Sequence, residues 1–165
     1  GVFSAVEGLP KLKMEDPFWS LINGELVMGG VETYPDPHKE GQLAYRTVFF
    51  RDGGKGVDHL ERFAVGPDRM KDIRLLQLAD NSILVATRPQ GPSLETGGRG
   101  RVGLTYIKSL EELTPSKILQ ARIIHNQVAQ DEWLGVNQMH LLENGDVLFV
   151  AHVARYDMKK KVDVN

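Results

Sequence analysis

The chain has 165 residues, 41% of them hydrophobic and 25% charged, and its 20 Lys and Arg against 22 Asp and Glu leave a formal charge of -2. That composition fits a compact soluble domain and excludes a fibrous or long disordered chain. The near-balanced charge excludes general capture of nucleic acid or of an anionic membrane surface, so neither is expected as a partner.

There is no cysteine, which removes disulfides, thiol nucleophiles and thiolate metal sites. No apolar run approaches the roughly 20 residues of a membrane-spanning helix, and Gly1-Val2-Phe3-Ser4 lacks the pattern of a signal peptide. A cytoplasmic location is expected on those two grounds.

In chain order, the first pattern is a hairpin: Asp16 to Ile22, Asn23-Gly24, then Glu25 to Gly30. Asn-Gly is the strongest short hairpin signal, because both central positions of a type I′ turn need positive φ. Leu43 to Arg51 and the short His59 to Val65 read as further strands, separated by the Gly/Pro-rich loops Tyr34 to Gly41 and Asp52 to Gly56. A second hairpin runs from Asp72 through Asp80-Asn81 to Arg88, followed by strand candidates Arg101 to Lys108 and Ala121 to His125. Between the last two, Ser109 to Gln120 has a capping-box start and helical periodicity, interrupted by Pro115. The third hairpin runs from Asn137 through Asn144-Gly145 to His152.

The hairpins start near 16, 72 and 137, spacings of 56 and 65 residues that suit four-stranded blades. An all-β propeller is therefore expected, built as a single partial domain over 1–165. A β-sandwich with three hairpins is the alternative. A propeller closes with four to eight blades, and this chain holds roughly two and a half to three. Missing blades are expected from the rest of a longer parent protein or from another chain.

Antiparallel pairing sets the start of each hairpin's first strand beside the end of its second. Asp16, Asp72 and Asn137 thereby fall at one end of the ladders with Glu32, Arg88 and His152. Asp16 and Asp72 are candidates for general acid at a sugar oxygen. Arg88 offers a planar fork of donors for phosphate, and Asn137, His140 and His152 offer hydrogen bonds to anion or sugar hydroxyls. The loop Thr96-Gly97-Gly98-Arg99-Gly100-Arg101 suits an anion but lacks the ending of a P-loop.

Duller readings compete. Asp-Pro is a common strand-entry dipeptide, Trp19 and Trp133 read as packing, Lys159-Lys160-Lys161 reads as a solvated tail, and no histidine has a metal-ligand spacing, so no metal is expected.

Glu15-Asp16-Pro17-Phe18, Ile22-Asn23-Gly24-Glu25, Gly29-Gly30-Val31-Glu32, Met70-Lys71-Asp72-Ile73-Arg74, Thr87-Arg88-Pro89-Gln90-Gly91 and Trp133-Leu134-Gly135-Val136-Asn137-Gln138 together resemble a known family. It is that of the five-bladed propeller proteins related to β-mannoside phosphorylases, in the branch of mannosyltransferase/phosphorylases of β-1,2-mannan turnover. The resemblance implies Asp16 as proton donor, Asp72 at sugar hydroxyls, and Arg88, Asn137, His140 and His152 at phosphate and sugar, while Glu32 is expected among the substrate-binding residues from its place at the same end of the ladders. It implies a mannose-containing oligosaccharide as partner, with inorganic phosphate or GDP-mannose as co-substrate and no other cofactor. A glycosidase of the same shape and a propeller that binds glycans or proteins without chemistry are the competing functions.

Overall fold

The computed structural model describes residues 2, 4, 6–91 and 98–156. Three antiparallel sheets follow one another along the chain. The first contains β1 (Glu15–Ile22), β2 (Glu25–Pro35), β3 (Leu43–Arg51) and β4 (Glu61–Val65) in that order. The second contains β5 (Arg74–Gln77), β6 (Ile83–Thr87), β7 (Gly103–Ile107) and β8 (Arg122–Ile123), again in order. The third is the pair β9 (Glu132–Leu141) and β10 (Val147–Arg155). Every strand expected from the sequence is present, several of them shortened: the 59–65 segment begins with a 3-10 turn over Val57–His59, the strand opening at Asp72 starts at Arg74, the 101–108 segment pairs over Gly103–Ile107, and the 121–125 segment keeps only two paired residues.

The first strands of the three sheets lie side by side, β1 against β5 and β5 against β9. Their contacts set the position of every site residue discussed below. Ser20 Oγ donates to the Leu75 carbonyl (2.7 Å) across the first junction. Arg74 Nε donates to the Asn137 carbonyl (2.8 Å) across the second.

Apolar alternation explains why the sheets stack. On β6, Ile83 and Val85 face a cluster with Phe18, Ile22, Val27, Phe49, Ile73 and Ile107, while Leu84 and Ala86 face a second cluster with Val102, Val136 and Met139. The run Ile83 to Ala86 is therefore buried on both faces, the situation that makes a strand apolar without alternation. The outer sheets alternate instead: Trp19 and Leu21 on β1, and Leu148, Val150 and Val153 on β10, are about half exposed.

The three hairpins do not share one turn. Ile22 pairs with Glu25, and Asn23 (φ 52) and Gly24 (φ 77) both take positive φ, the two-residue turn expected from Asn-Gly. In the third hairpin Leu142 N donates to the Asp146 carbonyl (2.8 Å) and only Gly145 (φ 87) is left-handed. Its loop is thus three residues, Glu143 to Gly145. The second hairpin matches the third, with Leu78 N to the Ser82 carbonyl (2.8 Å) and Asn81 (φ 66) in the glycine's place.

The helical pattern over 109–120 resolves into two single turns, a 3-10 turn at Leu110–Glu112 and α1 (Pro115–Ile118). Pro115 starts the second turn instead of breaking a longer one, because a first-turn residue needs no N–H. Thr114 caps it by accepting from Lys117 N (3.3 Å).

Candidate functional site

Asp16 stands where β1 departs from regular pairing. Glu15 faces Val31 but Phe18 faces Gly29, so one extra residue bulges out between them. Pro17 has no N–H to lose there, and Asp16 adopts φ 48. The bulge is held from below. A Cβ at Gly29 would lie 2.6 Å from Phe18 Cε1, and one at Gly30 would lie 2.6 Å from Met14 Sδ, so both glycines admit the side chains flanking the bulge. Asp16 itself is exposed and makes no hydrogen bond to a described residue.

Asp72 reaches the same place from the second sheet, with φ 59 at the entry to β5. The segment before it is tied to β3 by Gly66 N to the Thr47 carbonyl (2.8 Å), Thr47 N to the Met70 carbonyl (3.1 Å) and Arg69 N to the Tyr45 carbonyl (2.7 Å). Asp72 is buried and forms an ion pair with Arg88, also buried. His152 Nε2 lies 3.8 Å from Asp72 Oδ2. Nδ1 of the same ring donates to Asn137 Oδ1 (2.8 Å), which turns Nε2 toward the carboxylate. Gly135 makes this packing possible, because a Cβ there would collide with Asp72 Oδ2 and come 2.6 Å from His152 Cε1.

Arg74 completes the group. Its guanidinium lies over the Phe18 ring (4.4 Å) and holds the Asn137 carbonyl. Burial pushes its pKa down, opposed by the carboxylates of Asp72 and Asp16 and reinforced by Arg88. An arginine so placed keeps its charge at neutral pH.

These side chains surround a cleft of about 410 Å³ lined by Asp16, Pro17, Lys71, Asp72, Arg74, Asn137 and His152. A neutral or anionic polar ligand entering it meets one unengaged carboxylate on one side and a row of cationic and amide donors on the other. A groove of about 550 Å³ at the opposite end of the first sheet is lined by Asn23, Glu25, Arg51, Asp52, Lys55 and His59, among others. There Asp52 already accepts from the backbone of Leu26, Gly54 and Gly56, which makes it a loop brace.

Five of the residues expected at the site from sequence therefore meet: Asp16, Asp72, Arg88, Asn137 and His152. Two do not. Glu32 is bound by Arg46 (2.7 Å) and Arg62 (2.6 Å) on its own sheet, where burial pushes its carboxyl up but the hydrogen bonds from the two guanidinia hold it below the usual range. His140 is exposed, opposite Leu148 and three residues along β9 from Asn137, a displacement of about 10 Å at strand rise.

Lys71 and Arg74 line the cleft but were not singled out in the sequence; their only signal is that they flank Asp72. Trp19, expected to pack, is 56% exposed, and Trp133 packs against Tyr156 with the ring centroids 4.9 Å apart and the planes tilted by 53°. Of the Gly-rich loop, Thr96 and Gly97 lie outside the described residues, as does the Lys159 to Lys161 run. Among the described residues no group of His, Asp or Glu is arranged to hold a metal ion, and no helix is long and apolar enough to cross a membrane.

The chain is thus all-β, a series of successive antiparallel sheets with a carboxylate and a cationic wall where the first strands meet. More particularly, residues 1–164 match the family described as "Protein of unknown function (DUF1861)", and the chain belongs to that family.

Similar solved structures include three from Leishmania. A mannose phosphorylase from Leishmania mexicana in complex with phosphate ion, MPT-4, is 33% identical with a TM-score of 0.75, over 90% of this chain and 43% of that one. MPT-1, a GDP-Man-dependent mannosyltransferase from Leishmania mexicana, is 35% identical with a TM-score of 0.73, over 90% and 43%. A hypothetical protein from Leishmania major is 32% identical with a TM-score of 0.69, over 90% and 44%. The chain thus spans less than half the length of each. No curated protein matches it.

Proposed function

We propose that this chain is part of a mannosyl-transferring enzyme that cleaves β-mannosides by phosphorolysis, transfers mannose from GDP-mannose, or both. The observation that carries this reading is the unengaged Asp16 carboxylate facing Lys71, Arg74 and the Arg88–Asp72–His152 group across one cleft. The likeness to a mannose phosphorylase and a mannosyltransferase at 33% and 35% identity supplies the sugar.

In phosphorolysis, a phosphate oxygen forms the new bond to the anomeric carbon as the glycosidic C–O bond breaks. Asp16 acts as general acid toward the departing sugar oxygen, and the products are mannose-1-phosphate and the shortened sugar. The attacking phosphate needs positive charge around it and no second carboxylate as base. Asp72 fits that requirement, since its pairing with Arg88 occupies it as an acceptor and leaves Asp16 as the side chain of the two without an ion-pair partner. In the transferase direction the same cationic wall receives the nucleotide's leaving phosphate. This chemistry calls for no metal and no organic cofactor.

In this reading the two four-stranded sheets are complete blades of a five-bladed propeller, and β9–β10 is the inner half of a third. The remaining blades come from the rest of the parent protein or from another chain. They would cover the half-exposed apolar faces of β1 and β10.

The test is to incubate the whole protein that carries this chain with β-1,2-mannobiose, with and without inorganic phosphate, and to measure mannose-1-phosphate and free mannose. Phosphate-dependent mannose-1-phosphate, lost in Asp16→Asn, is the expected result. Free mannose released without phosphate would make the protein a glycosidase, and no product from either mannobiose or GDP-mannose would leave a binding protein.

A further inference from the structure

Gly29 and Gly30 stand side by side in the middle of β2, both buried. Neither takes a positive φ, so the backbone at these positions is open to residues with a side chain. Glycine inside a strand weakens it, and where no φ demands it, the reason is the space a side chain would fill. Successive strand residues point to opposite faces, so the two glycines leave room on opposite sides of the sheet.

Gly30 is the one residue opposite the bulge. Glu15 pairs with Val31 and Phe18 with Gly29, which leaves Asp16 and Pro17 together facing Gly30. A Cβ at Gly30 would come 2.9 Å from the Glu15 carbonyl oxygen, and 2.6 Å and 2.8 Å from Met14 Sδ and Cγ. The Glu15 carbonyl belongs to the peptide that leads into Asp16, so a side chain at 30 pushes on the backbone of the bulge itself. Bulges re-aim side chains, and this one holds Asp16 at φ 48 on the edge of the cleft.

Gly29 supports the other side. A Cβ there would collide with Phe18 Cζ and lie 2.6 Å from Cε1. The Phe18 ring can move only with what is packed on it: the fully buried Phe49 ring, edge-on at 5.9 Å, and the Arg74 guanidinium, 4.4 Å over its centre. Arg74 lines the cleft with Nε on the Asn137 carbonyl (2.8 Å) and Nη1 on the Ile73 carbonyl (3.1 Å), so the ring fixes the remaining face of the guanidinium.

We propose that Gly29 and Gly30 are positioning residues for the two sides of the cleft: Gly30 sets the Asp16 carboxyl through the bulge, and Gly29 sets Arg74 through the Phe18 ring. The inference rests on the mannosyl-transfer reading, in which Asp16 is the acid and the cationic wall receives phosphate. It goes beyond that reading by giving adjacent glycines separable effects, one on turnover and the other on phosphate binding.

The experiment compares Gly29→Ala and Gly30→Ala in the whole protein that carries this chain, by crystal structure, by calorimetric titration with inorganic phosphate, and by phosphorolysis of β-1,2-mannobiose. Gly30→Ala is expected to shift Asp16 with Arg74 in place and to lower kcat about tenfold or more, with phosphate affinity and KM within about twofold of the original. Gly29→Ala is expected to displace Phe18 and Arg74 with Asp16 in place, weakening phosphate binding and raising its KM about tenfold with kcat largely kept.

Two further variants separate positioning from simple loss of packing. Phe18→Leu with Gly29 intact removes the ring beneath Arg74 without crowding the sheet, and is expected to weaken phosphate binding as Gly29→Ala does. Met14→Ala added to Gly30→Ala is expected to recover little, because the Glu15 carbonyl still meets the new methyl group. Full recovery would show that side-chain crowding, not the bulge backbone, is at work, and would remove the role of Gly30.

Losses of kcat and phosphate affinity that are alike in the two variants and follow their melting temperatures would make both glycines packing residues and overturn the inference. Because structure and phosphate affinity are read without turnover, the expected shifts in a protein that transfers no mannose would sink the enzymatic reading alone. Mannosyl transfer that both variants leave intact would sink this inference alone.

Discussion

Asp16 and Asp72 share a residue type, a left-handed backbone and a place at the entry of the first strand of a sheet, yet their surroundings divide their roles. Asp16 is exposed and unpaired, so Asp16→Asn is expected to leave the melting temperature nearly unchanged while lowering turnover about 10²- to 10⁴-fold. Comparable loss of stability and activity would instead make it a structural strand-entry residue.

Asp72 is the opposite case, because its removal strands a buried arginine. Asp72→Ala is expected to destabilise the fold by about 3–5 kcal/mol in denaturant unfolding, with Arg88→Met in the same background recovering part of the loss. No recovery would mean that the unpaired cation is not the cause. Nothing in either dipeptide, Asp16-Pro17 or Lys71-Asp72, distinguishes these fates; both depend on which partner the fold brings alongside.

At the scale of elements, the hairpins were the clearest reading of the chain, and even they differ in kind. Asn23-Gly24 closes a two-residue turn, whereas Asn144-Gly145, the same dipeptide, sits in a three-residue loop with Asn144 at negative φ. The strand register decides this, since Leu142 pairs with Asp146 and leaves one more residue to be turned. The second hairpin follows the third, which gives Asn81 the role of Gly145. Asn81→Gly is therefore expected to be neutral or slightly stabilising, and Asn81→Val to cost about 1–2 kcal/mol in thermal unfolding. Equal stability of the two variants would contradict the assignment of a left-handed turn residue.

Glu32 shows the same limit in another way. Antiparallel pairing put it at the correct end of β2, but Arg46 and Arg62 reach it on its own sheet. Its position along the strand was legible; the partner that occupies it was not.

Across the whole molecule, acid should act through carboxylates whose pKa values the fold depresses. Asp36 is lowered by the His38 amide and Arg69, Asp52 by the amides of Gly54, Leu26 and Gly56, and Asp80 by the hydroxyl and amide of Ser82, while Glu32 is held down by Arg62 and Arg46. Glu111, beside Ser109 and Arg51, falls to about 2. A depressed carboxyl adds stability that is complete above its unfolded pKa, about 3.8 to 4.5, and is lost as pH falls through the folded value. The melting temperature is therefore expected to hold from pH 7 to about 5 and to fall steeply below about 4.5, less steeply in Glu32→Gln. A flat profile down to pH 3 would show that these contacts do not persist in solution.

By itself the sequence determined the all-β class, the three hairpins, nearly every strand and the end of the sheets at which the polar residues collect. It could do so because period-two alternation, Asn-Gly turns and antiparallel pairing are local rules that act within about 20 residues. The tertiary structure alone decided that β6 is buried on both faces, that Lys71 and Arg74 join the cleft, that Glu32 and His140 do not, and that Arg88 is buried against Asp72. Each of these depends on contacts between sheets, where residues more than 50 positions apart, such as Arg74 and Asn137, meet through packing that no local pattern encodes.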